Sequence, residues 1–474
     1  MPTRPNILLI SSDQQNPLMA AGSALADTPH LDTLAARGTV FSQAYCTSPI
    51  CVPARASMAT GRYVHELGTW DNSAPYVGGA QSWGHVLGDA GYRVTTVGKL
   101  HYRNTSDDTG FPDQRLAMHI HGRGDLKGVS LRPQGAVPSR PDGNLSKNLI
   151  EVGVGESEYT EFDRAVADES VRFLENESGD GPWALMVSFV TPHFPLIAPQ
   201  EHHDRYDPAD FPGPVEQDEA WQHPAIETFK KSFGLTRPLT DSEHCAALHS
   251  YLALCSFLDD RVGEVLAALE ATGHLDDTLV VFTSDHGESA GAHGLWFKHL
   301  MNRESVGVPM IVAGRGVEAG RVVHSPVSHV DLFPTFLDVA GLRDAVPSDV
   351  PGLSLLDPEA LAGSDRGVLA EYHANGSTSA SFMLRHGRYK YIEYVGERPQ
   401  LFDIADDPAE MVDLAGRPES AEIVADMAAR LRQICDPEAV DSDAKADQAR
   451  RVAEVGGVAA AATHTVNHTP VPKP

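Results

Sequence analysis

One cysteine in this chain sits in a setting suited to chemistry. In the run Pro49-Ile50-Cys51-Val52-Pro53-Ala54-Arg55, Pro53 falls where a first helical turn tolerates it, and Gly61 falls where a helix stops. The spacing therefore predicts a helix with Cys51 at its N-terminus, where free N–H groups and the helix dipole favour an anion. Arg55, four residues on, falls near the same face and is expected to meet whatever anion Cys51 meets. Further polar residues follow strand-sized apolar runs. Asp13 follows 6–11, Lys99 and His101 follow 93–97, His193 follows 184–190, and Asp285 with His286 follows 278–283.

These runs alternate with helical segments, which predicts an α/β sandwich built on a mostly parallel sheet. Binding sites in open α/β sheets lie beyond the carboxyl ends of the strands, so the four polar segments are expected to converge on one edge. Between them, 28–37 and 83–90 read as helices and 39–44 as a strand. The stretch 104–161, rich in Gly, Pro and polar residues, reads as long loops, and with 195–238 it should line a substrate pocket. Residues 385–394 and 400–404 read as a hairpin-like pair, and 420–434 has helical spacing. The expected organisation is a catalytic domain over 1–365, a small C-terminal subdomain over 366–440, and a tail over 441–474 at an oligomer interface. The last stretch, 455–474, cannot build its own core.

Composition bounds the function. The 474 residues, 42% hydrophobic and 22% charged, can bury a large core. The longest apolar runs are strand-sized, far below the roughly 20 residues that span a bilayer, and residues 1–5 carry no leader pattern, so the reading is cytoplasmic with no membrane partner. A formal net charge of -28 disfavours nucleic acid, anionic membranes and extended sulfated polysaccharides, while screening beyond about 8–10 Å still lets a local basic pocket hold a small anion. Five cysteines without CxxC spacing suggest neither a disulfide framework nor a zinc ribbon. Cys46, Cys245, Cys255 and Cys435 read as ordinary buried thiols, and His119, His121, His202 and His203 as surface or loop residues.

Cys51-Val52-Pro53-Ala54-Arg55, continuing to Thr60-Gly61-Arg62, resembles the type I sulfatase signature, Cys-x-Pro-x-Arg followed by Thr-Gly-Arg. The resemblance extends through 6–13, 97–101, 191–195 and 284–298 to Leu401-Phe402-Asp403-Ile404 and Asp407-Pro408, nearly the whole chain. It implies the alkaline-phosphatase-like fold with a small C-terminal antiparallel sheet and helix. It also implies that a separate maturation enzyme oxidises Cys51 to formylglycine. Carried over residue by residue, Asp13, Gln14, Asp285 and His286 match the family's metal ligands, with residue 51 as a further ligand. Arg55, Lys99, His101, His193 and Lys298 match its sulfate-handling residues, and Asn72 matches a substrate-binding asparagine. Many sulfatases have Asp-Asp and Asp-Asn at the two metal-binding pairs. Asp13-Gln14 and Asp285-His286 instead resemble the branch of choline-sulfatases and phosphonate monoester hydrolases. An imidazole in an otherwise oxygen shell makes manganese as suitable as calcium for the single divalent ion.

The roles implied are those of a hydrolase. A hydrated aldehyde at position 51 supplies the nucleophile, Arg55, Lys99 and Lys298 stabilise the transferred group, His193 protonates the departing alcohol, and His101 deprotonates the second hydroxyl. Three functions compete: cleavage of small alkyl or aryl sulfates, cleavage of phosphonate monoesters or phosphodiesters in the same site, and a non-catalytic binding protein that keeps the fold. Completeness of the ligand and cation set argues against the third.

Overall fold

The computed structural model describes residues 4–124, 126, 147–179, 181–215, 218–464 and 469–472. Its centre is an eight-stranded sheet of β1 (Asn6–Asp13), β2 (Gly38–Phe41), β3 (Arg93–Lys99), β4 (Asp113–Met118), β5 (Trp183–Pro192), β6 (Thr278–Ser284), β7 (Met310–Gly314) and β8 (Arg321–Val323). The spatial order is β8-β2-β7-β6-β1-β5-β3-β4. Only β7 runs against its neighbours, pairing antiparallel with both β2 and β6. The sheet is thus mostly parallel, as the alternating pattern predicts.

Every residue of β1, β5 and β6 is buried. Such strands need helices on both faces, and the pleat divides their side chains between two cores. Ile7 and Leu9 face one core with Ala56 and Met58 of α2 (Cys51–Thr60), which follows α1 (Pro29–Ala36). Leu8 and Ile10 face the other, with Val166 and Phe173 of α3 (Glu158–Glu177) and Leu258 and Val262 of α4 (Asp241–Ala271).

The C-terminal part adds a four-stranded antiparallel sheet, Val368–Tyr372, Ser381–His386, Tyr389–Tyr394 and Gln400–Asp403. Phe382, Leu384 and Leu401 pack on Met427 and Leu431 of α5 (Ala421–Ile434). The stretch 385–394, which reads as one strand, is two, because Gly387 turns the chain with φ 55°.

Two readings of the connections need correction. The supposed loop 104–161 contains β4, an edge strand parallel to β3, and the supposed loop 195–238 contains helices Gln200–His203 and Pro224–Phe233. Residues 125 and 127–146 of the first stretch lie outside the described residues. The helix α6 (Pro437–Glu454) crosses residue 441, where the sequence pattern places the start of the tail, and its Ala444 packs on Val64 and Trp70. Arg451 on α6 pairs in a buried position with Asp71 at 2.6 Å. Among the described residues, no helix is long and apolar enough to cross a membrane.

Candidate active site

Neighbouring strands β6, β1, β5 and β3 deliver the site. Asp13 ends β1, Asp285 follows β6, His193 follows β5, and Lys99 ends β3 with His101 beyond it. The expected convergence on the carboxyl edge is what the sheet order produces. Helix α2 brings Cys51 to the same edge. It ends at Gly61 in the left-handed region, φ 68°, whose N–H donates to the Ser57 carbonyl at 2.8 Å. Its first turn has no side-chain cap from Ile50; the Val52 N–H donates instead to Oδ1 of Asn72 at 3.1 Å. Asn72, expected at the substrate, is therefore seen holding the helix that carries Cys51.

The Cys51 thiol donates to Asp13 Oδ1 at 3.8 Å and lies 3.2 Å from His286 Nε2. That nitrogen is 3.6 Å from Asp285 Oδ1. One ligand atom from each of Asp13, Cys51, Asp285 and His286 falls within 4.8 Å of the others, and all four residues are buried. His286 Nδ1 is 3.0 Å from the Gly287 carbonyl, a bond that only Nδ1–H can donate, so the lone pair of Nε2 faces the cluster. Burial, then Lys298, holds this imidazole well below its usual pKa and keeps it neutral, the form that binds a metal. Burial, and next the charge of Asp13, pushes the Asp285 carboxyl up to about 7. Burial works in the same direction on Asp13, but the charges of Lys99, Arg55 and Lys298 outweigh it and hold that carboxyl well below the usual range. Two facing carboxylates, a neutral imidazole with its lone pair inward and a sulfur fit one divalent cation. Burial and Asp13 push the Cys51 thiol itself up to about 11, against the pull of Lys298 and Lys99.

The cations are arranged in two ways. Lys99 Nζ lies 2.6 Å from Asp13 Oδ2, and Lys298 Nζ lies 2.5 Å from Gln14 Oε1 and 3.7 Å from Cys51 Sγ. Arg55, expected to face the bound anion, instead points its guanidinium at the protein. Nε donates to Asp285 Oδ2 at 2.8 Å, Nη2 to Asp13 Oδ2 at 3.0 Å, and Nη1 to the Lys99 carbonyl at 2.6 Å and Ser188 Oγ at 2.7 Å. The helical spacing puts it on the right face, but the two carboxylates compete for its fork and take it.

His101 and His193 stand beside this cluster. His193 donates from Nδ1 to the Phe194 carbonyl at 2.7 Å, which leaves Nε2 for other partners. Burial and Lys298 hold its pKa well below normal, and burial with Lys99 does the same to His101. His101 adopts φ 55°, and its Nε2 lies 2.9 Å from Oγ1 of Thr469, in the last described segment of the chain. The Tyr159 hydroxyl donates to the Thr469 carbonyl at 3.1 Å.

Several contributors escape sequence reasoning. Asp163 on α3 accepts from the Val190 and Thr191 N–H groups and from Thr191 Oγ1, fixing the strand end before His193. Glu288, inside the segment 284–298, carries no mark except its nearness to Asp285. Thr469 carries none.

Fold and site together define a hydrolase of the alkaline-phosphatase-like class, with a buried cluster of ligand atoms suited to a cation beside a helix N-terminus. The sequence profile of the sulfatase family matches residues 5–342, and that of the N-sulphoglucosamine sulphohydrolase C-terminal region matches 291–436. The chain belongs to the sulfatase family and is a sulfuric ester hydrolase. A choline-sulfatase of Rhizobium meliloti is 32% identical over 494 residues, covering 99% of this chain and 94% of the relative. Arylsulfatase K of Homo sapiens is 29% identical over 448 residues, 87% of this chain and 79% of the relative. Among solved structures, the phosphonate monoester hydrolase of Agrobacterium radiobacter superposes with TM-score 0.72 at 25% identity, covering 91% of this chain and 95% of that one.

Proposed function

We propose that this sulfatase cleaves small alkyl or aryl sulfate esters to an alcohol and inorganic sulfate, with residue 51 acting as a formylglycine hydrate. The observation that carries the reading is the Cys51 side chain at the start of α2, inside the Asp13, Asp285 and His286 cluster and 3.7 Å from Lys298 Nζ. A divalent cation, calcium or manganese, would be held by Asp13, Gln14, Asp285, His286 and residue 51, and would supply Lewis-acid polarisation at the nucleophile and the ester.

The chain's own residues account for the remaining steps. One hydroxyl oxygen of the hydrate attacks sulfur, forming an O–S bond as the bond from sulfur to the alcohol oxygen breaks. Lys99 and Lys298 stabilise the negative charge spread over the transferred group. His193, its Nδ1–H fixed on the Phe194 carbonyl, offers Nε2 to carry the proton for the leaving alcohol. Burial favours its neutral form, and the charge of a bound anionic ester works in the opposite direction. His101 then removes the proton of the second hydroxyl. The carbonyl reforms as the bond from the residue 51 side-chain carbon to the sulfate oxygen breaks, sulfate departs with that oxygen, and water restores the hydrate.

Charge supports a monoanionic ester. Arg55, Lys99 and Lys298 face Asp13, Asp285 and Glu288, three against three, all buried. A divalent ion then leaves two positive charges, matched by a singly charged ester and an ionised nucleophile. Phosphonate monoesters satisfy the same balance, and the likeness to the phosphonate monoester hydrolase makes their hydrolysis the second reading. Both readings need a maturation enzyme that oxidises Cys51. Five unpaired cysteines fit a reducing compartment, and the cytoplasm is the location we assign. We also assign a homo-oligomer in which the tail contributes to the interface; Val458, 78% exposed on a short helix in that tail, supports this. The deciding experiment screens sulfate and phosphonate esters on enzyme whose residue 51 is verified by mass spectrometry. Turnover by unoxidised Cys51 protein at the rate of the matured form would overturn the mechanism.

A further inference from the structure

A glutamine differs from a carboxylate as a metal ligand in one respect: its amide has an oxygen on one side and an NH₂ on the other, and only the oxygen can bind a cation. Gln14 is pinned at its backbone. It adopts φ 66°, its N–H donates to Asp285 Oδ1 at 3.2 Å, and its carbonyl accepts from the Tyr251 hydroxyl at 2.7 Å. The freedom left to its side chain includes a half-turn of the amide, which would exchange oxygen for NH₂. Two neighbours decide that half-turn. Lys298 Nζ, which can only donate, lies 2.5 Å from Oε1. On the other side Nε2 donates to Oε2 of Glu288.

Glu288 is itself immobilised. Its second oxygen, Oε1, accepts the Ala290 N–H at 3.0 Å and the Phe297 N–H at 2.5 Å, and the residue is 2% exposed. Its Oε2 is therefore presented to Gln14 in one place. A buried carboxylate that accepts two backbone N–H groups with one oxygen and a side-chain NH₂ with the other leaves little choice of orientation.

We propose that Glu288 is the positioning residue that fixes the Gln14 amide with its oxygen toward the cation site, so that the Asp-Gln pair of this chain depends on a carboxylate 274 residues away in sequence. The inference rests on the reading of Asp13, Gln14, Asp285 and His286 as a divalent-cation site. It explains how a neutral amide, which can present either of two faces, serves at a cation site.

The test is an exchange of the two groups. In Glu288→Gln the new amide must keep its oxygen on the Ala290 and Phe297 N–H groups, so it turns an NH₂ toward position 14 and drives the Gln14 amide over. Manganese and calcium affinity, measured by calorimetric titration of chelator-treated protein, should fall about 10–100-fold, the usual loss for a group that orients a metal ligand. The exchange variant, Gln14→Glu combined with Glu288→Gln, restores complementarity. Its carboxylate at position 14 accepts from the amide at position 288 with one oxygen and keeps the other on the cation. It should recover most of the affinity, which a residue with only a packing role would not allow. Parent-like affinity in Glu288→Gln, or an exchange variant no better than it, overturns the inference while leaving the cation site intact. A parent protein that binds neither ion overturns the site and the inference together. Should Glu288→Gln fail to fold, the exchange variant decides alone: it must fold and bind near the parent's affinity, and failure to do so overturns the inference.

Discussion

Thr469 Oγ1 lies 2.9 Å from Nε2 of His101, a contact between residues 368 apart in the chain. The Thr469 carbonyl accepts from Tyr159, and Val471 packs on the core formed by α3, α4 and one face of the sheet. The last described segment thus rests on a residue assigned to proton removal.

Removing residues 456–474 deletes that partner and opens His101 to water. One lost hydrogen bond near the reacting atoms is worth about 1 kcal/mol, so kcat/KM on an aryl sulfate should fall about five- to tenfold. Steady-state kinetics check this, and an unchanged kcat/KM would detach the tail from the site. Light scattering should show a smaller particle, because the same segment is assigned to the oligomer interface. An unchanged mass would withdraw that assignment alone.

Arg55 binds both Asp13 and Asp285, and its side chain is fully buried with theirs. Removing one partner of such a group leaves uncompensated charge, which costs about 3–5 kcal/mol. Arg55→Ala should lose that much in urea denaturation. Arg55→Lys keeps the charge but cannot span two carboxylates, a carbonyl and a hydroxyl, so it should fall between. If Arg55→Ala instead keeps its stability and loses only substrate affinity, the guanidinium faces substrate, as the helical spacing alone suggests.

How far the sequence discloses this site follows from which interactions are local. Ile7–Ile10 and Leu279–Phe282 are continuous apolar runs because both faces of β1 and β6 are covered, so these strands and the polar residues at their ends are legible. The edge strand β4 is not. It carries Asp113, Gln114 and Arg115, all half-exposed, and Arg115 pairs with Glu169 and Glu177 on α3 rather than entering a core. The carboxylates and histidines could be placed on one edge from strand order alone. The direction of the Arg55 guanidinium could not, since it depends on Asp13 and Asp285, which only tertiary folding brings beside it. Glu288 and Thr469 are hidden for the same reason.

Removing the divalent ion should abolish activity and lower thermal stability together. Asp13 and Asp285 face each other without it, and a cation at 100 times its Kd stabilises the folded state by about 2.7 kcal/mol. Calorimetric scans with and without chelator should show the melting temperature drop, and manganese or calcium should restore both properties. A melting temperature indifferent to chelation would take the cation away from this cluster.

Replacing Cys51 by serine separates attack from release. Serine keeps one hydroxyl in the cluster beside Lys298, and attack on sulfur needs only one oxygen, so the first step should survive at reduced rate. The resulting sulfate ester has no second hydroxyl on the same carbon. His101 then has no proton of a second hydroxyl to remove, and sulfate can leave only by direct attack of water, a route slower than elimination. Cys51→Ser protein should therefore turn over about once and accumulate as a sulfated enzyme, visible as an adduct at residue 51 by intact-protein and peptide mass spectrometry after incubation with a reactive aryl sulfate. Repeated turnover near the parent's rate would show that a single hydroxyl suffices, and an alkoxide mechanism of the phosphatase kind would replace the hydrate at residue 51.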